Sequence, residues 1–181
     1  MILEEEARWL LILHALVGGA TVAAATHLVV WMRGWLRGRA PRRRAVQRFA
    51  WISLALFATT FLLGNVAYPI YKVRVRAEYL DDPAAVEANL REPTPERVAA
   101  AADRTAKVAR WFDVKEHWVA MGLVLALACA FILRVWDPTE PGAAAVAPLV
   151  FGLAVGAAAT AWLGAIIGLL TSSFRALGPL G

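Results

Sequence analysis

Four stretches of this chain are apolar for about the length a helix needs to cross a bilayer: residues 9–31, 49–71, 114–133 and 149–170. A hydrocarbon core of roughly 30 Å takes about 20 helical residues. In lipid, backbone polar groups must be satisfied within the segment itself, so such runs form helices. The third run is the shortest, its strictly apolar part beginning at Trp118. The chain is 60% hydrophobic and only 18% charged, where soluble domains average roughly 45–50% and about 25%. Runs of this length exclude an ordinary soluble enzyme core and a disordered tail alike. The expected fold is all-α, a four-transmembrane-helix up-and-down bundle in a single membrane domain over 1–181. Trp9, Trp31, Trp35, Trp51, Trp111, Trp118 and Trp136 fall near the proposed ends, the interfacial position, and only Trp162 lies deep in a span. Glu4, Glu5 and Glu6 precede the first run, where a signal peptide would carry basic residues, so this run is read as a mature span. Cys129 is the single cysteine and forms no intramolecular disulfide.

A net charge of +5 invites a nucleic-acid reading, but the position of the charge argues against one. Arg33, Arg37, Arg39, Arg42, Arg43, Arg44 and Arg48 all fall in or beside the link 32–48 between the first two spans, with no acid among them. That is where topology determinants sit. This side then carries eight basic residues against two acids, and the other side eleven against twelve. The first helix sets the orientation, so both termini are expected outside; the bilayer is the first partner, and a bacterial inner membrane is the expected location.

The link 72–113 is long enough for structure of its own. Asp82-Pro83 and Thr94-Pro95 each place a capping residue before a proline at the first helical position. From Val98, apolar groups recur at Ala101, Thr105, Val108 and Phe112, a helical spacing that runs on toward the third span. The third span is therefore expected to be the lower part of one long helix beneath a helical extramembrane cap. The fourth span carries Gly152, Gly156, Thr160, Gly164 and Gly168 at every fourth position. Such a stripe admits a close helix, a flat cofactor or, in a homo- or hetero-oligomer, another chain.

Polar groups inside a membrane are costly unless partnered, and each is a functional candidate. His14, His27, Asn65 and His117 are the ones here. At 1.5 Å per residue, His14 and Asn65 lie roughly 8 Å below the outer boundary and His117 about 5 Å below it. His27 belongs to the other leaflet. In an up-and-down bundle spans 1 and 3 are diagonal, about 13 Å apart if neighbours are spaced 8–10 Å. That suits two imidazoles with an iron between them, so His14 and His117 are candidate ligands of one haem b, an arrangement fit for electron transfer. Gly18 would leave room for the macrocycle, Tyr68, Asn65 and Met121 would line it, and Lys72, Arg74, Arg76, Arg110 and Lys115 at the outer edge would pair with its propionates. The alternatives are a metal held by Asp113, Glu116 and His117, or histidines that only bond a neighbouring helix or water. No Walker loop, dinucleotide fingerprint, HExxH motif or nucleophile elbow is present, so no soluble-type catalytic apparatus is visible.

Leu13-His14-Ala15-Leu16-Val17-Gly18-Gly19 places an early histidine in a Leu-His context before small residues. In this and in the order of its spans the chain resembles small haem-binding membrane proteins, the bacterial membrane protoporphyrinogen oxidase and copper-resistance D group. The resemblance covers mainly the first span; the long link and Phe112-Asp113-Val114-Lys115-Glu116-His117-Trp118 depart from it. It implies haem ligation by His14, with porphyrinogen oxidation or copper handling as activities. The residues themselves favour a cytochrome b-like redox protein, passing electrons between a quinol or membrane dehydrogenase and an external redox protein. A cofactor-free accessory or assembly subunit of a larger membrane complex is the alternative, with a membrane metal-binding protein behind it.

Overall fold

The structure is a computed structural model and describes residues 7–37, 43–137, 140 and 142–171. Glu4 to Glu6, Arg39 and Arg42 lie outside the described residues. Helix α1 spans Ala7–Met32, α2 Arg43–Tyr71, α3 Pro83–Ala88, α4 Pro95–Val135 and α5 Ala147–Leu170. Short 3₁₀ turns follow α1 at Trp35–Arg37 and precede α5 at Ala143–Ala145. Among the described residues there is no strand. Four helices are long and apolar enough to cross a membrane, so the all-α four-helix membrane bundle stands.

The helices form a ring in which α1 packs on α2 and α5, and α4 packs on α2 and α5. This leaves α1 and α4 on one diagonal. The C-terminal end of α1, the start of α2, the end of α4 and the start of α5 meet at an arginine-rich end. The opposite end carries the cap.

Packing rather than hydrophobicity holds such helices together, because lipid tails are as apolar as leucine. At the arginine-rich end Leu28, Met32, Trp35, Val46, Ala50, Cys129, Ala130, Leu133, Val150 and Ala154 interlock as one buried cluster. Above it Phe57 packs with Ala126, Ala157 and Ala161. A Cβ on Gly122 would stand 2.1 Å from Thr160 Oγ1 and 2.7 Å from Phe57 Cζ, so glycine is what lets α4 pass between α2 and α5. The stripe on α5 serves the same contact: a Cβ on Gly156 would meet Leu125, one on Gly164 would meet Val119, and one on Gly168 would meet Lys115. Most of the stripe is therefore taken up by α4 inside the molecule, and only Gly152 opens onto free space. Thr21 and Thr60 hydrogen-bond between α1 and α2 at 2.8 Å, a contact worth roughly 0.6 kcal/mol in a membrane. Trp162, the tryptophan deep in a span, donates its Nε1–H to Thr26 Oγ1 at 3.1 Å.

The cap grows from α2 and α4. Pro69 sits inside α2, and after Tyr71 the helix widens to π geometry over Lys72–Leu80. Asp81 N–H donates to Arg76 O and closes the wide segment. Asp82 caps α3 by accepting from Ala84 and Ala85 N–H, and Thr94 caps α4 by accepting from Arg97 N–H. Both proline starts are therefore helix starts. Helix α4 runs 41 residues without a break, about 61 Å at 1.5 Å per residue. Its upper part buries Thr105, Val108, Ala109 and Phe112, the stripe expected from the sequence. Tyr71 stacks on Phe112 at 4.1 Å, and Leu80, Val75 and Tyr79 complete this small core. Arg76 Nη1 meets Asp113 Oδ1 at 2.7 Å, and its Nε meets Asp81 at 3.3 Å. The hydrogen bond to Asp113 is the main cause that raises the Arg76 guanidinium above its ordinary range; partial burial opposes it and Asp81 adds to it. The guanidinium therefore stays charged at every working pH. Because both partners are partly exposed, the pair is worth at most about 1 kcal/mol.

Candidate functional site in the cap-side half of the bundle

The contacts between helices fix the height of each polar group. Phe57, Gly122 and Thr160 form one layer. A Cβ on Gly64 would meet His14 Cε1 at 3.2 Å, and one on Gly168 would meet Lys115 Nζ at 3.5 Å. Gly64 is seven residues past Phe57, and Lys115 is seven before Gly122. Both side chains thus stand about 10 Å above that layer, at one level, on diagonal helices. His14 continues the inward face of α1, seven residues before buried Thr21 and fourteen before buried Leu28. Lys115 lies 5.9 Å from the Phe112 ring centroid, a cation–π distance.

At this level the walls given by α1, α2 and α4 are less completely covered than below, while α5 stays buried at Gly164 and Ile167. His14, Val17, Gly18, Gly64, Tyr68, Lys115 and Val119 are all half-buried. Their counterparts Met32, Val46, Ala130 and Val150 at the other end are fully buried. The cap-side half thus presents an imidazole and an ammonium among glycines and aromatics. An imidazole can ligate a metal or exchange a proton, and an ammonium can pair with an anion.

The other expected site residues are placed differently. His117 is exposed, and its Nδ1–H donates to Asp113 O at 2.7 Å. It is five residues from both buried Phe112 and buried Gly122, which turns it about 140° from the interior face. His14 and His117 are therefore not brought face to face across the bundle. Asn65 and Met121 are one residue out of phase with Gly64 and Gly122 and are exposed; the Asn65 amide donates to Phe61 O at 2.8 Å. Tyr68 lies near the inward face, 6.2 Å from Tyr71. Gly18 faces Thr60, 3.9 Å from where its Cβ would be. Arg74 reaches Glu78 on the surface at 3.4 Å, and Arg76 is occupied by Asp113 and Asp81. The same bond holds Asp113 away from a site shared with Glu116 and His117. Among the described residues no three His, Cys, Asp or Glu side chains form a metal-holding group. His27 is exposed on the arginine-rich half, between Trp31 at 5.7 Å and Phe49 at 6.1 Å.

Lys115 is expected from the sequence as a propionate partner at the outer edge; that it lies on the inward face of α4, level with His14, is what sequence reasoning does not state. Its signal was there: the stripe Ala101, Thr105, Val108, Phe112, continued by steps of three and four, runs through Lys115, Val119, Gly122 and Ala126. Comparison of the chain with family models, with curated proteins and with solved structures returns no match.

Proposed function

We propose that this integral membrane protein binds haem b in the cap-side half of its bundle, with His14 as the histidine for the iron. The observation that carries this reading is the shared level of His14 and Lys115 on diagonal helices, where the inward residues of α1, α2 and α4 are half-buried. Inward direction is what a ligand needs, and His14 fits on that count. His117 does not fit as the second ligand, because its ring lies on the outer surface of α4. Haem, when bound, supplies one-electron chemistry. The chain's own residues would hold and shield it. His14 would be oriented by the flat backing of Gly64, and Lys115 would neutralise a propionate. A site just below the cap suits electron passage between a quinol or membrane dehydrogenase and an external redox protein.

Absorption spectra of protein purified in mild detergent test this. A Soret band is expected that is lost in His14→Ala, weakened on washing in Lys115→Ala, and unchanged in His117→Ala. With one histidine the ferric spectrum should be high-spin. Loss of the band in His117→Ala with its retention in His14→Ala would overturn the assignment. A second reading, a cofactor-free accessory subunit, draws on the cap: α4 carries it clear of the bilayer with Trp111 and Val73 exposed. Protein that stays colourless after expression with added haem would favour that reading.

A further inference from the structure

At the arginine-rich end a cavity of about 260 Å³ opens between α2 and α4, lined by Arg44, Gln47, Arg48, Trp51 and Arg134. The four α2 residues fall at i, i+3, i+4 and i+7, one face over two turns. Gln47 Nε2 donates to Leu133 O at 2.7 Å and ties that face to the end of α4. Asp137, two residues past the end of α4, is engaged by Arg43 at 2.6 Å. Arg44, Arg48 and Arg134 form no ion pair among the described residues, and all three are exposed. Arg44 also sits in the first turn of α2, where the helix dipole adds favourable potential for an anion. Three uncompensated guanidiniums around one cavity form a site for phosphate oxygens, which such forks bind in pairs.

The surroundings say which phosphate. Towards the bilayer centre Trp51 meets Phe131 edge-on at 5.7 Å, and exposed Ile52, Leu127 and Val124 continue the apolar surface. Charge at the interface with an apolar track beneath it matches a headgroup and its acyl chains. We infer that this cavity binds the phosphate headgroup of an anionic phospholipid from the leaflet on the arginine-rich side.

The test is lipid binding by the full chain in nanodiscs, read by native mass spectrometry and thermal midpoint. Diphosphatidylglycerol, phosphatidylglycerol and phosphatidylcholine would be compared, with inorganic phosphate as a separate arm. Anionic lipid should be retained at least about tenfold over phosphatidylcholine, consistent with charge-assisted contacts from several arginines. The combined variant Arg44→Gln, Arg48→Gln, Arg134→Gln should lose that preference. The combined Arg→Lys variant keeps the charge that directs insertion and should bind several-fold more weakly, through loss of the paired donors. Replacing Arg33 and Arg37, which do not line the cavity, with Gln should change nothing. Equal retention of all lipids, equal loss in the Arg33 and Arg37 control, full binding in the Lys variant, or equal stabilisation by inorganic phosphate would each overturn the inference.

Discussion

The two halves of the bundle use the same four helices and one continuous register, yet they are filled differently. Towards the arginine-rich end the inward positions are Leu28, Met32, Val46, Ala50, Leu133 and Val150, all buried. Towards the cap the faces of α1, α2 and α4 carry His14, Gly18, Gly64 and Lys115, all half-buried, while α5 stays covered at Gly164 and Ile167. One half is apolar and interlocked, with alanine and glycine admitting large neighbours. The other places titratable groups opposite glycines. Such a division separates the part that holds the helices together from the part free to depart from good packing, as functional sites do.

The largest break in that contrast should come from Gly122. In Gly122→Leu the new Cβ would overlap Thr160 Oγ1 at 2.1 Å and Phe57 Cζ at 2.7 Å, and both neighbours are buried. We expect a loss of about 3 kcal/mol or failure to assemble, the upper end of overpacking costs, read from an unfolding titration in mixed detergent micelles. An unchanged midpoint would mean that α4 and α5 do not meet as described. A smaller effect comes from making cavities. Leu133→Ala empties a fully buried position and should cost about 2 kcal/mol. Val17→Ala, on the half-buried wall, should cost below about 0.5 kcal/mol, because little contact is lost. Equal costs for the two would erase the distinction between the halves.

The fold was legible because span length, the tryptophan positions and the proline caps are local signals. Asp82-Pro83 and Thr94-Pro95 start helices as expected, and the stripe from Val98 to Phe112 faces the cap core. The site was only partly legible. Depth along a helix can be counted from its ends, and depth pointed to His14. Rotation about the axis needs the phase of the buried face, and on that count His117, Asn65 and Met121 fall outside the interior. The widening over Lys72–Leu80 had no sequence signal that we can name beyond Pro69. It carries Arg76 to Asp113, which removes both from the roles that composition suggested.

The finest test of the two halves uses two glycines of equal size and unequal surroundings. Gly152 on α5 has nothing within 4 Å of an added Cβ, whereas at Gly64 that atom would sit 3.2 Å from His14 Cε1. Gly152→Ala should therefore stabilise by a few tenths of a kcal/mol through helix propensity alone, with roughly 1 kcal/mol as the ceiling. Gly64→Ala gains the same propensity, but the imidazole must give way by a few tenths of an ångström, so its net stability change should be near zero. A displaced ring is a poorer ligand even where the fold tolerates it. The haem spectrum of Gly64→Ala should accordingly shift or fade at unchanged stability, while Gly152→Ala keeps the wild-type spectrum. If the two variants behave alike by both measurements, Gly64 does not position His14, and the histidine's inward aim rests on the α1 backbone alone.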